Sequence, residues 1–264
     1  MKVAVRFLIL VAVLGIIGII IVGMSLNALV KTGVETMGPK VLGVPVTLEE
    51  VDISLLSGGK DMRAGLNNLI IKNPKGYETD YAFSLPHIRV IVDRNSVLAD
   101  TVIIEEIVID GPAITFEGSL LGSNLGDIQD NVKRNTQAGS KDEGKEKKSG
   151  REGSEGEKEK NVHIKKVTMK EAKINLSLFG SQSEAIPLTL PDVELHDIGK
   201  KSGGTSFQKA SAKIFDAIYA AIIQAVTKSG KLIPKSLEQF GETAEELGKS
   251  AEKVGKELLK GLFK

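Results

Sequence analysis

Three histidines, His87, His163 and His196, are the only side chains whose ordinary pKa lies near neutrality, so acid–base or metal chemistry would start from them. A zinc site needs ligands at short, defined spacings, such as two histidines one helical turn apart. None of these three stands in such a spacing. Each lies in or beside an expected strand, which makes it an ordinary polar strand residue. The pairs Glu49–Glu50 and Glu105–Glu106 each bring two carboxyls together in sequence, but neighbours in a regular strand point to opposite faces and do not converge as an acid and a base. Gly199 to Gly204 has the glycine spacing of a phosphate loop, yet Thr205 stands where the lysine is required. No G-x-S-x-G nucleophile elbow occurs, and the absence of cysteine removes thiolate nucleophiles, thiolate zinc sites and disulfides. The chain therefore reads as non-enzymatic, with no catalytic, cofactor or metal residues. With 35 basic and 34 acidic side chains the net charge is +1, too little to predict a nucleic-acid partner.

The elements that remain are apolar. Residues Phe7 to Met24, including Leu14 and Ile21, form 18 consecutive apolar or glycine positions behind Lys2 and Arg6. That length crosses a bilayer core, and the preceding positive charges hold the N-terminus in the cytoplasm and send the bulk of the chain across. A cleaved signal peptide would need a shorter run and small residues at the cleavage site, which Ser25, Leu26, Asn27 and Ala28 match poorly. Leu26, Leu29 or Val30, Val34 and Met37 continue a helical stripe, which Gly38 and Pro39 are expected to stop. Residues 1–40 thus read as a transmembrane anchor with a helical extension.

From Val41 to Gly118 the period changes to two, as in strands. One unit recurs five times, as VTLEEVDI at Val46, FSLPHIRV at Phe83, VIIEEIVI at Val102, VHIKKVTM at Val162 and LTLPDVEL at Leu188. The pair inserted at its centre shifts the phase by one residue, so it predicts a β-bulge or bend that keeps the apolar set on one face. Pro86 and Pro191 open that pair in two copies, where a residue without an N–H is tolerated. VIIEEIVIDGPAITFE from Val102 also aligns without a gap on VHIKKVTMKEAKINLS from Val162, an offset of 60 residues. Such a repeat predicts a sheet that grows by addition. Its candidate core or groove residues are Ile104, Ile107, Ile109, Ile114, Phe116, Ile164, Val167 and Ile174.

Between the copies, Leu121, Leu125, Ile128 and Val132 predict a short amphipathic helix over 119–135. Lys141 to Lys160 carries seven charges of each sign in twenty residues and no apolar side chain, so 136–160 is expected to be a disordered linker. The sheet resumes over 161–204. Residues 205–264 predict two amphipathic helices. Thr205 and Gln208 suggest the capping box of the first, with Phe207, Ile214, Ile218, Ile222 and Val226 on its face. The second carries a heptad stripe that includes Leu237, Phe240, Leu247, Val254 and Leu258, suited to packing on the fold or to lying on a membrane. The class expected is α+β: a transmembrane helix, a bent antiparallel sheet of about six to nine strands shaped as a groove, and two C-terminal helices.

The stretches VETMGPKVLGVPVTLEEVDISLLSG, LNNLIIKNPKGY and LPHIRVIVDRNSVLADTVIIEEIVIDGPAITFE, behind a single anchor, resemble the N-terminal region of the AsmA-like family of Gram-negative envelope proteins. LPDVELHDIGKKSGG resembles the closing strands of short members. This resemblance, which extends to the architecture of chorein-type lipid-transfer proteins, implies inner-membrane attachment, a periplasmic β-groove that binds phospholipid, and a part in outer-membrane lipid homeostasis. Some eight strands advance only about 40 Å across a sheet, too little for a conduit spanning the envelope. An accessory or partner of a longer relative fits better. Asn73 and Pro74 also resemble the NPx turn of lipid-interacting water-stress domains. The alternative is an envelope scaffold whose heptad helix docks a protein partner; a hydrolase of an envelope polymer would require clustered polar side chains in a cleft.

Overall fold

The structure, a computed structural model, describes residues 25–54, 60–119, 122–142, 160–177 and 186–229. The expected anchor positions Phe7, Leu14, Ile21 and Met24, and the heptad face of Leu237, Phe240, Leu247, Val254 and Leu258, lie outside them.

The fold is α+β, with a mixed sheet curled into a half-barrel. A helix over residues 25–42, α1, leads into β1 (Val46–Ser54), β2 (Asp61–Ile71), β3 (Phe83–Asp93), β4 (Thr101–Asp110), β5 (Ala113–Ser119) and the two-residue β6 (Gly122–Ser123). Helix α2 (Asn124–Asp142) follows, then β7 (Asn161–Lys170), β8 (Lys173–Ser177), β9 (Ile186–Thr189), β10 (Val193–Ile198) and helix α3 (Phe207–Lys228). β4 runs on into β5 and β7 into β8, each interrupted by a two-residue bend, and β9 and β10 are separated by Leu190, Pro191 and Asp192. The ten strands thus make six ribbons, in the order β1, β2, β3, β4–β5, β7–β8, β9–β10, with β6 a short flap on β5.

The expectation of an antiparallel sheet is corrected at one place. β4 pairs with β7 in parallel, and so does β5 with β8. The register matches Val102 with Val162, Ile104 with Ile164, Ile107 with Val167 and Ile109 with Met169, then Ile114 with Ile174 and Phe116 with Leu176. This is the 60-residue repeat written in space: each copy lies beside the other, residue against equivalent residue. Parallel neighbours need a crossover, and α2 lies within it.

The inserted pair of β4 makes a bulge against β3, whereas those of β1, β3 and β7 bend the chain without shifting its register. Ladder pairing between β4 and β7 skips Glu105–Glu106 and Lys165–Lys166, and the β3–β4 register shifts at Ile91/Val92. Across the inserted pair the apolar set keeps its face: Val46, Leu48 and Val51 are all buried in β1, and Val162, Ile164, Val167 and Met169 in β7. An apolar row therefore crosses every ribbon, as Val51, Leu66, Ile88, Ile109, Met169 and Val193. The opposite face is polar. There the register sets the glutamate and aspartate of the first copy against lysines of the second, with Glu105 at 2.7 Å from Lys165 and Asp110 at 3.4 Å from Lys170. The hydrogen bond to Glu105 holds the Lys165 ammonium above its ordinary pKa.

Three helix boundaries differ from expectation. α1 passes through Gly38 and Pro39 and ends at Leu42, because Gly43, at φ 71°, supplies the left-handed stop and donates its N–H to the Pro39 carbonyl at 2.8 Å. α2 starts at Asn124 and runs through Asp142, so residues 136–142 are helix where a linker was expected. α3 is capped by Ser206, whose side chain accepts from Lys209 N–H, and not by Thr205. By length and composition α3 would pass for a membrane span, but half of its apolar window is buried in the fold.

The bends of the two copies adopt the same conformation, with Gly111 at φ 59° and Glu171, its equivalent, at φ 56°. Glycine occupies that region freely, whereas a side chain there is strained. Glu171→Gly is expected to stabilise the fold by about 0.5–1 kcal/mol and Gly111→Ala to destabilise it by about 1 kcal/mol, measured as shifts of the urea midpoint at constant slope.

Candidate functional site

Helix α1 has two working faces. Asn27, Lys31 and Glu35 recur every four residues and meet the exposed edge of β1: Asn27 Oδ1 accepts from Ile53 N–H at 3.1 Å, Lys31 Nζ donates to the Glu49 carbonyl at 3.0 Å, and Glu35 Oε1 accepts from Leu48 N–H at 3.0 Å. These side chains occupy edge groups that would otherwise invite another strand. The order of the contacts makes α1 antiparallel to β1. Gly38 permits the close approach, since a Cβ there would lie 3.0–3.2 Å from the Val46 side chain.

The other face of α1 walls an apolar cleft. Val34, Gly38, Val41 and Leu42 form one side, and Phe207, Ser211, Ile214, Phe215 and Ile218 of α3 form the other. Val46, Leu69, Ile71, Phe83, Leu85, Ile88 and Ile109 of the sheet form the floor. Its volume is about 230 Å³, and Ser211 carries the one polar side chain in the lining. Phe215 is fixed by an edge contact with Phe83, centroids 5.9 Å apart at 67°, and stacks on Tyr219 at 6.4 Å. Phe207 is 44 % exposed at the rim, one of the large apolar side chains that remain open to solvent, with Leu29 and Leu98. Such a cleft can hold a hydrocarbon segment but offers almost no group for fixing a polar molecule.

Of the candidate core or groove residues, Ile109 alone lines this cleft. Ile114, Phe116 and Ile174 are completely buried in the main core, where α2 contributes Leu125, Ile128 and Val132 and α3 contributes Ile222 and Val226. Ile164 and Val167 belong to a second cluster with Val162, Ile198 and Ala210, against which Ile104 and Ile107 pack. The helices therefore fill most of the hollow expected to be a groove. Sequence reasoning missed Leu69 and Ile71 because LNNLII breaks strict alternation: Asn68, at φ 53°, is kinked opposite Glu49, and pairing skips both without a change of register. The apolar stripe of Phe207, Ile214 and Ile218 was a usable signal for the α3 wall.

A buried polar seam anchors the loop between β2 and β3. Glu117 is 4 % exposed, and its carboxylate accepts from Glu78 N–H at 2.8 Å, Thr79 N–H at 2.9 Å and the Thr79 hydroxyl at 2.6 Å. Asn124, fully buried, accepts from Glu117 N–H and Leu125 N–H and donates to the Thr115 carbonyl and to Asn73 Oδ1. Asn73 in turn donates to Thr79. Burial alone would raise the Glu117 pKa, but the Thr79 hydroxyl and the two amides together outweigh it and hold the carboxyl below its ordinary value. Tyr77 donates to Asp127 at 2.9 Å, and burial together with that carboxylate raises its phenol. In the α2–α3 seam, burial raises the Asp216 carboxyl, with Gln129 and Lys133 opposing it.

The histidines do not converge. His87 Nδ1 lies 3.1 Å from Asn67 Oδ1, His163 Nε2 lies 3.6 Å from Asp197, and His196 Nε2 lies 2.9 Å from Glu194. Glu49 is bonded to Asn68 and Glu105 to Lys165, on different ribbons. Among the described residues no group of three or more histidine or acidic side chains is placed to hold a metal ion. Comparison with family models, curated proteins and solved structures finds no match to this chain.

Glu117→Gln is expected to cost about 1.5–3 kcal/mol, the range for a hydrogen bond to a charged group, because the amide nitrogen would face backbone donors. Since the folded pKa is depressed, the carboxylate's contribution is complete above the ordinary glutamate range and is lost as pH falls through the depressed value. Chemical denaturation at pH 7 and across the acid range would check both, with the variant showing the flatter acid profile.

Proposed function

We propose that this chain is a non-enzymatic, membrane-tethered lipid-binding protein that accepts an acyl segment of a phospholipid in the cleft between α1 and α3. The single observation that carries this reading is that the cleft wall belongs to α1, the helix that directly follows the apolar run of Phe7 to Met24. At 1.5 Å per residue, Val34 lies only about 14 Å along the helix from Ser25. An acyl chain leaving a bilayer held by that run would meet the cleft at once. Each methylene it buries contributes roughly 0.8 kcal/mol. At about 230 Å³ the cleft is smaller than the roughly 300–1,000 Å³ of sites that enclose whole ligands, so it takes part of one chain and leaves the headgroup outside. Together with the resemblance to AsmA-like proteins, this supports a reading in which the tether sits in a Gram-negative inner membrane and the sheet in the periplasm, assisting lipid traffic to the outer membrane.

The test uses the full chain in liposomes containing a phospholipid with a photoreactive group near its acyl terminus. Cross-links are expected on the segments that carry Val34 to Leu42 and Phe207 to Ile218. Ser211→Phe, which fills the cleft with a larger apolar group, should reduce them severalfold. Labelling confined to residues 7–24 would falsify the proposal.

A further inference from the structure

A second hollow, of about 290 Å³, opens on the polar face of the same strands, behind the apolar cleft. It owes its space to Gly65, which the register sets between Asp52 of β1 and Arg89 of β3. A Cβ at Gly65 would come no closer than 3.8 Å to Asp52, and its φ is not in the left-handed region, so neither sterics nor backbone conformation demands glycine there. What glycine leaves is room. Elsewhere on this face the lysines of β7 are already neutralised by Glu105, Glu194 and Asp110. The guanidinium groups of Arg63 and Arg89, which line the hollow, have no hydrogen-bonding or ion-pairing partner among the described residues. Its acids are engaged: Asp52 accepts from Asn67 at 3.1 Å and Asp110 faces Lys170 at 3.4 Å. Free planar donors beside occupied carboxylates leave a site with an unmet demand for an oxyanion.

The geometry points to a binding site for a phosphate ester that also carries hydroxyl groups. The phosphate oxygens take the two guanidinium forks, and the remaining lone pairs of Asp52 and Asp110 accept from the hydroxyls. A bare polyanion is the poorer ligand, because the same two carboxylates repel it. This site lies on the opposite face from the acyl cleft and stands independently of the lipid reading.

The full chain in neutral detergent would be titrated calorimetrically with sn-glycerol 3-phosphate and with inorganic phosphate. Saturable binding of the ester, tighter than that of phosphate, is expected. Gly65→Val, which fills the floor with a residue suited to a strand, and Arg89→Gln should each weaken it roughly ten- to hundredfold while the thermal melt is unchanged. Absence of saturable binding, or an unaltered affinity in Gly65→Val, overturns the site; equal affinity for inorganic phosphate overturns the hydroxyl requirement. Competition by nanodiscs containing phosphatidylglycerol would identify a lipid headgroup as the source of the ester, and its absence a soluble one; either result supports the site.

Discussion

The in-register parallel pairing of two copies of one bent strand is the constraint on which the remaining architecture rests. Parallel pairing of a sequence with its own repeat has an inherent hazard: a slip of one residue would turn every apolar side chain to the polar face. Two features oppose the slip. Both copies carry their inserted pair at the same place, so the ladders are interrupted together at Glu105–Glu106 and Lys165–Lys166. The two copies also differ in charge at equivalent positions, so the correct register sets Glu105 against Lys165 and Asp110 against Lys170. Each exposed pair contributes little alone. Their value lies in discriminating among registers whose apolar contacts are similar.

That pairing dictates where the helices go. A parallel step requires the chain to return to the starting end of the sheet, and α2 lies in the return, packing against β5, β6 and α3. α3 then covers what α2 leaves, and α1 is pinned along the β1 edge by its hydrogen bonds there and to α2 at its C-terminal end, where Asn135 donates to the Val41 carbonyl at 3.2 Å. The apolar cleft is the space over the sheet that α1 and α3 leave between them. Glu117 and Asn124 tie the start of α2 to the β2–β3 loop, fixing the end of the sheet beneath it.

The two faces of β2 and β3 consequently support two chemistries one strand thickness apart. Ile109 lines the apolar cleft, whereas Val108, its neighbour in sequence, and Arg89 line the polar hollow. Alternation along a strand is enough to bring about this separation.

Much of the sheet was legible in the residues themselves. The repeated unit revealed the bends because apolar side chains must remain on one face, and the gapless 60-residue alignment already contained the pairing register. What it could not reveal was that the copies lie side by side, since local alternation is identical in parallel and antiparallel neighbours. Helix ends were read less well: Pro39 and Gly38 look like a stop, but a helix docked along a strand edge is held by Asn27, Lys31 and Glu35, contacts that span up to 26 residues and have no local signature. The candidate apolar residues all lie in or against the two apolar clusters. Whether each became core or cleft was decided only when α2 and α3 settled over them, because a side chain's face is set by strand period, whereas its covering depends on elements distant in the chain.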